Sequence, residues 1–367
     1  MAAVKKRKAP WRGLLSAALM ALLGFGLVFE GAAVGEGVRR GLLICGEVLI
    51  PALFPFMALC CWLNRTEAAG LISRPLTPVT RHIFRLPGEL GATALLSVIG
   101  GYPTGAKMIS ILLKQKRINK DTAKRMLCFC YGGSPSFLIS AVGAGMLGSR
   151  RLGAALYLTQ AAATFLTGAV FSLRAPRIRD KSYALKKSEG VSGLVEAVRD
   201  ASGAMLNMCA WAVLFSGIIS LAAASGLKGA IVALIPIRPE YSGALLAGLL
   251  EVTGGSLLAC ASGGRGALAL VAIICSFGGL SIIFQVVSSF DERISFGPFI
   301  LSRFFHAGIS AGLFLWAASF FEEAALPAMA GGGAPIALTV NRPWFAWACL
   351  LMMLTMLIFG GRREGGH

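Results

Sequence analysis

The sequence predicts an all-α polytopic membrane protein, with about eight transmembrane helices plus two re-entrant hairpins arranged as an inverted repeat. Three observations carry this. First, 56% of the 367 residues are hydrophobic, 14% are charged, and the mean hydropathy is +0.73. Soluble domains average about 25% charged residues and have helices with polar faces, which are missing here. Second, the net charge of +18 is concentrated in short runs between apolar stretches, where membrane topology places it. No nucleic-acid partner is expected, because no RNA- or DNA-binding motif accompanies the charge. Third, two apolar stretches are interrupted by glycines at matching places in the two halves of the chain.

Lys5, Lys6, Arg7, Lys8 and Arg12 precede an apolar run from Leu14 to Phe29. This reads as a signal anchor retained as the first span, near 13–29; a cleaved signal peptide is the alternative. Further spans are expected near 41–63, 127–148, 152–173, 201–225, 267–289, 296–320 and 344–360, the last carrying Trp344 and Trp347 as interface residues. The interrupted stretches are 91–113, which holds VIGGYPTGAK, and 241–262, which holds LLEVTGGSLLACASGG. With the N-terminus inside and both stretches returning to the side they entered from, 25 of the 35 Lys and Arg fall inside and 8 outside. Making either stretch a full span reverses everything after it. Charge therefore favours two re-entrant hairpins and two cytoplasmic termini.

The halves also resemble each other. Tyr131-Gly132-Gly133-Ser134-Pro135-Ser136-Phe137 lies against Phe277-Gly278-Gly279-Leu280-Ser281-Ile282-Ile283 at an offset of 146, which also sets Gln160 against His306. The resulting organisation has a basic segment and first span (1–40), repeat 1 (41–175), a basic cytoplasmic linker (176–199), an inverted repeat 2 (200–321), and an outer linker with the last span (322–367).

Irregular backbone at membrane depth survives only when buried in protein or lining a watery cavity. Pro103 lacks a donor and restricts Tyr102 to extended conformations. Gly101 and Gly105 permit a tight turn and close approach. GGYPTG therefore reads as a hairpin tip, followed by Thr104 and a half-helix whose free N–H groups attract anions. Lys107 is placed in the first turn of that half-helix. The same logic applies to Thr253-Gly254 after Glu251, and to Ser134-Pro135-Ser136 and Gly278-Gly279 on two broken spans. The expected site joins these four discontinuities. Lys107 supplies positive charge to a small organic anion, and Glu251 balances it, binds a coupling cation or takes a proton. Proton and sodium both remain open as the coupling ion, as does homo-oligomerisation. Lipid is the one certain partner. No cofactor is expected, and the nine cysteines show no metal-ligand spacing, so they read as apolar filler.

Among the other intramembrane polar residues, Glu47 precedes the Pro51 and Pro55 kinks, while Asn207, Gln160 and Gln285 read as interhelical hydrogen bonds. Arg303 reads as an inner-end anchor. Two other function classes compete. An intramembrane enzyme needs Ser134 and His306 as nucleophile and base, but GGSP is no protease motif and HExxH is absent, so no enzyme is expected. A scaffold would recruit partners through the basic loops 114–125 and 174–199.

GGYPTGAKM, the basic loop after it, CYGGSPSFLISAVGAG and the later EVTGG resemble the YlbJ-type sporulation integral membrane proteins of the nucleoside-recognition, or Gate, superfamily. The resemblance covers roughly residues 40 to 320, which makes the two repeats Gate-like. It implies a membrane protein of spore-forming bacteria that moves dipicolinic acid, a small aromatic dianion, across the outer forespore membrane. Related Gate-type sequences often carry asparagine beside the serine-proline element. Gly132 and Gly133 stand there in this chain, which makes a nucleoside the less fitting substrate.

Overall fold

The computed structural model describes residues 10–176 and 191–321. Every regular element among them is helical. The expected span at 344–360, with Trp344 and Trp347, and the outer linker 322–343 lie outside the described residues, as does most of the 176–199 linker.

The first expected span is α1 (Pro10–Phe29). Next, α2 (Gly31–Ile44) runs through a π-helical turn (Cys45–Leu49) into α3 (Ile50–Leu63), giving one rod of 33 residues. This rod begins ten residues earlier than the expected 41–63. Glu36 lies in the added part and is paired with Arg39, so its charge does not end the helix. The π turn sits just before Pro51, which has no N–H to give to the carbonyl four residues back. After α4 (Ala68–Pro78), the helical stretch Ala68–Ile83 meets the next, Gly88–Gly100, at 115°. That next stretch ends in α5 (Gly91–Gly100), and α6 (Tyr102–Lys114) folds back against it to complete the first hairpin. The only residue between them is Gly101, at φ 89° and ψ 177°, a conformation that a side chain would strain.

The broken span follows. α7 (Lys120–Leu127) is capped by the Asn119 side chain, which accepts from the Thr122 N–H. The chain then loses its helix through Ser134 and regains one, π-helical, over Ser136–Met146. α8 (Arg150–Ser172) is capped by Ser149 and completes the first repeat.

The second repeat mirrors this order. It begins with α9 (Val191–Ala224), and the short α10 (Leu227–Leu234) then meets α11 (Pro239–Leu250) at 115°, the angle found in the first repeat. α11 and α12 (Val252–Ala261) form the second hairpin, interrupted at Glu251, whose backbone is extended. α13 (Gly264–Phe277) and α14 (Gly279–Ser288) form a span broken at Gly278-Gly279, both at positive φ. α15 (Gly297–Ala318) closes the repeat.

Among the described residues, five helices are long and apolar enough to cross a bilayer alone: 31–63, 150–172, 192–224, 264–288 and 297–321. The α2–α3 rod and α9 run antiparallel. Arg40 donates to Ser220 near one end, Cys45 Sγ approaches the Cys209 carbonyl, and Arg65 pairs with Glu196 and Asp200 near the other. The two repeats therefore start from opposite ends of the bundle, as an inverted repeat requires. The 146-residue offset has a direct structural counterpart. Tyr131 Oη donates to the Phe277 carbonyl at 3.0 Å, and His306 Nε2 lies 3.2 Å from the Gln160 carbonyl. Residues related by a two-fold axis meet each other only close to that axis. Leu158, Phe165 and Leu166 on α8 and Leu301, Phe304 and Phe305 on α15 face outward, which suits a lipid surroundings.

Backbone approaches backbone inside the second hairpin, and between the first hairpin and the broken span that follows it. A Cβ on Gly255 would lie 2.1 Å from the Gly248 Cα, and one on Gly105 would lie 2.1 Å from the Cys130 carbonyl oxygen. Such contacts let membrane helices pack without bulky side chains. Replacing Gly105 or Gly255 by Ala should destabilise the folded protein by about 1–3 kcal/mol, the usual cost of overpacking. Gly203→Ala, in α9 with open space at its Cβ, should not. Thermal unfolding of the three variants in detergent checks this.

Candidate functional site

The four breaks converge. The first hairpin tip packs on the first broken span, since a Cβ on Gly101 would touch Ser134 at 3.2 Å. The second tip packs on the second, since a Cβ on Gly279 would lie 3.2 Å from the Glu251 nitrogen. Two tyrosines join the pairs. Tyr102, first residue of α6, donates to the Cys275 carbonyl at 2.5 Å, and Tyr131 reaches the Phe277 carbonyl. Their rings lie 5.2 Å apart and are fully buried. Carbonyls left free by the break after α13 are thus met by phenols from the opposite repeat.

Arg303 serves the other break. It is 0% exposed, and its guanidinium donates to the carbonyls of Cys128 (2.5 Å) and Tyr131 (3.4 Å) and to the Ser302 hydroxyl. Its head lies 4.5 Å from the centre of the Tyr131 ring, which adds a cation–π contact. The reading of Arg303 as an inner-end anchor is therefore corrected. α15 carries it into the core, where unwound carbonyls replace water around the charge. Sequence spacing does not reveal those acceptors, because they lie about 175 residues away.

Glu251 is 3% exposed and caps α12 itself, accepting from the N–H groups of Thr253 (2.8 Å) and Gly254 (2.6 Å). The second half-helix therefore has its anion already, supplied by its own chain. The first does not: the cap of α6 is Gly101, which has no side chain, and Thr104 turns its hydroxyl back to the Gly100 carbonyl. Pro103 and Gly105 are buried in α6. Ser134 Oγ accepts from the Phe137 N–H at 3.1 Å and so caps the π-helical segment containing Pro135 and Ser136. Gly278 is pressed against the Tyr131 hydroxyl.

Lys107 stands apart from the tips. Because α6 starts at Tyr102, directly after Gly101 and with Pro103 in its first turn, Lys107 falls in the second turn rather than the first. It is partly exposed, and its Nζ lies 3.5 Å from an Asp200 carboxylate oxygen.

Two cavities flank the layer of tips. One, of about 350 Å³, lies towards the α2 end of the α2–α3 rod and is lined by Glu47, Val48, Pro51, Ser136, Ser140 and Thr253 among others. The other, of about 610 Å³, lies at the opposite end and is lined by Arg65, Lys107, Lys114, Asp200, Asn207 and Asp291 among others. Glu47, Ser136 and Thr253 thus share one cavity and Lys107 lies in the other. Arg65 and Asp200 were missed as site residues. The only sequence signal was their place just outside apolar runs, which is also where topology signals sit. Ser134 and His306 have separate partners: His306 Nε2 is 3.0 Å from the Thr164 hydroxyl as well as near Gln160. Among the described residues no cluster of three or more His, Cys, Asp or Glu could hold a metal ion, and all eight described cysteines are free.

The architecture defines a multi-pass, all-helical integral membrane protein of inverted, hairpin-bearing repeats. The chain is similar to the sporulation integral membrane protein YlbJ of Bacillus subtilis (strain 168), with 25% identity over 334 residues, spanning 82% of this chain and 81% of that protein. The resemblance read from GYPTGAK is borne out by this similarity. No family model matches the chain, and no solved structure matches it.

Replacing Arg303 by Met should leave the Cys128 and Tyr131 carbonyls buried without donors, at about 1–3 kcal/mol each. Arg303→Lys keeps the charge but not the planar fork, so it should recover only part of the loss. Unfolding temperatures of both variants in detergent measure the difference.

Proposed function

We propose that this chain is a secondary-type transporter of a small organic anion, with dipicolinate moved during spore formation as the specific case. It is a carrier and not an enzyme. The observation that carries this reading is the pair of cavities at opposite ends of the bundle, separated by one thin layer of hairpin tips and broken helices. A carrier needs access from either side to a common barrier, and inverted repeats supply it by rocking one half against the other. The positive-inside bias puts the Lys107 cavity on the cytoplasmic side, with both termini, and the Glu47 cavity outside. By resemblance, the membrane is the outer forespore membrane.

The inner cavity holds cations that an anion needs: Lys107, Arg65 and Lys114 line it, each paired there with Asp200 or Asp291, and the uncapped start of α6 lies beyond. The outer cavity is chiefly apolar with three hydroxyls, which suits the face of an aromatic ring. No P-loop is present, so the driving force is an ion gradient or the substrate's own gradient.

Uptake of labelled dipicolinate into proteoliposomes tests the reading. Wild type should accumulate the label, while Lys107→Ala should lose at least about tenfold of the initial rate, as expected for a functional intramembrane charge. A well-folded wild type that moves no dipicolinate under proton or sodium gradients would falsify the transporter reading for this substrate.

A further inference from the structure

Arg65, Lys107 and Asp200 are brought to the inner cavity by three separate elements. Arg65 follows the end of α3, Lys107 is in the second turn of α6, and Asp200 is on the early part of α9. Asp200 pairs with both cations: Arg65 Nη2 donates to one of its oxygens, and Lys107 Nζ lies 3.5 Å from the other. Glu196, one helical turn before Asp200, takes the remaining arm of Arg65. At the rim, Lys114 Nζ lies 3.5 Å from Asp291. Cys61, on α3, is buried within electrostatic reach of Asp200, Arg65 and Lys107.

With Glu196 included, three cations meet three carboxylates around a space of about 610 Å³. The cavity is the right size for a small ligand, but it is electrically closed as it stands. A further anion entering it finds both inner cations already engaged. The side chain that engages them is itself a carboxylate.

We propose that Asp200 is a built-in surrogate for the substrate's carboxylate, and that a proton on Asp200 opens the site formed by Arg65 and Lys107 to one carboxylate of a small organic anion. This rests on the anion-transporter reading and adds the site and the coupling ion. With Asp200 charged, Arg65 and Lys107 are both satisfied. When Asp200 takes a proton, the cluster gains one net positive charge and the two cations are left with one acceptor fewer. A ligand carboxylate then replaces Asp200, accepting from the freed arm of Arg65 and from Lys107. The charge is balanced by one proton taken up for one carboxylate bound. On release, the proton leaves and Asp200 returns to its two partners. The groups that set its titration are those facing it: Arg65, Lys107, Glu196 and Cys61, with Lys114 and Asp291 at the rim.

The test is equilibrium binding of labelled dipicolinate to the purified full-length protein in detergent, from neutral to mildly acidic pH. Wild-type affinity should rise as the pH falls. Asp200→Asn should bind tightly across the whole range, roughly two- to fivefold tighter than wild type at neutral pH, the range a partly exposed ion pair commands. It also controls for ionisation of the ligand itself. Asp200→Glu should restore the wild-type dependence, and adding Lys107→Ala to Asp200→Asn should abolish the gain. A folded Asp200→Asn protein with wild-type affinity and pH dependence, or with no binding, overturns the surrogate role. If wild type still transports in that case, the transporter reading stands without it. A wild type that neither binds nor transports dipicolinate overturns both.

Discussion

The structure depends on how four interruptions of helical hydrogen bonding are satisfied away from water. Every break in a membrane helix frees N–H and C=O groups that lipid cannot meet. Here the acceptors freed in one repeat are largely met by donors from the other. Tyr102 and Tyr131 of the first repeat donate to carbonyls at the break after α13. Arg303 of the second donates to carbonyls at the break before Ser136. The repeats are therefore locked by exchange of polar partners across the axis as well as by apolar packing. This places these polar contacts in the layer between the two cavities described above.

That exchange explains why so costly a side chain as a fully buried arginine is kept. Its charge is spread over two carbonyls, a hydroxyl and the face of Tyr131, and the nearest breaks supply all of these except the hydroxyl. No carboxylate is needed. A lysine has one compact head and could not reach both carbonyls with the same geometry. The arginine and the unwound backbone before Ser136 stabilise each other, and neither makes physical sense alone.

Much of this was legible in the sequence. The two hairpins and the breaks at Gly101, Ser134 and Gly278 follow from hydropathy interrupted by glycine and proline, which are local signals; the second hairpin breaks at Glu251, two residues before the expected Thr253-Gly254, which lie inside α12. The inverted relation followed from charge counting and from one short self-match, whose offset proved to mark residues that touch. What was not legible depended on long-range partners. The depth of Arg303 is set by carbonyls in the other repeat. The pairing of Lys107 is set by an aspartate 93 positions later. The self-capping of Glu251 is local, and an acidic residue just before Thr253-Gly254 could have been read as an N-cap; its functional reading as a balancing charge obscured the simpler one. The early start of the α2–α3 rod was hidden by Glu36, Arg39 and Arg40, whose charges look like a loop until Glu36–Arg39 and Arg40–Ser220 are seen to be paired.

The two repeats share a plan but not an electrostatic character. At the second hairpin a carboxylate sits on the N-terminus of α12, so an approaching anion meets a negative charge and two N–H groups already used. At the first hairpin the equivalent position is a bare glycine, and the cations lie one turn further along α6 and across at Arg65. Symmetric scaffolding with asymmetric charge gives the layer a direction. On the carrier reading proposed above, the first tip is the one that favours an anion and the second disfavours it; the turns differ too, with Gly101 at positive φ and Glu251 extended. A pair of identical tips would hold an anion equally from both sides and offer it no preferred neighbour. On that reading, one capped tip and one open tip favour the first hairpin, and the Arg65, Lys107 and Asp200 cluster lies beyond it in the inner cavity.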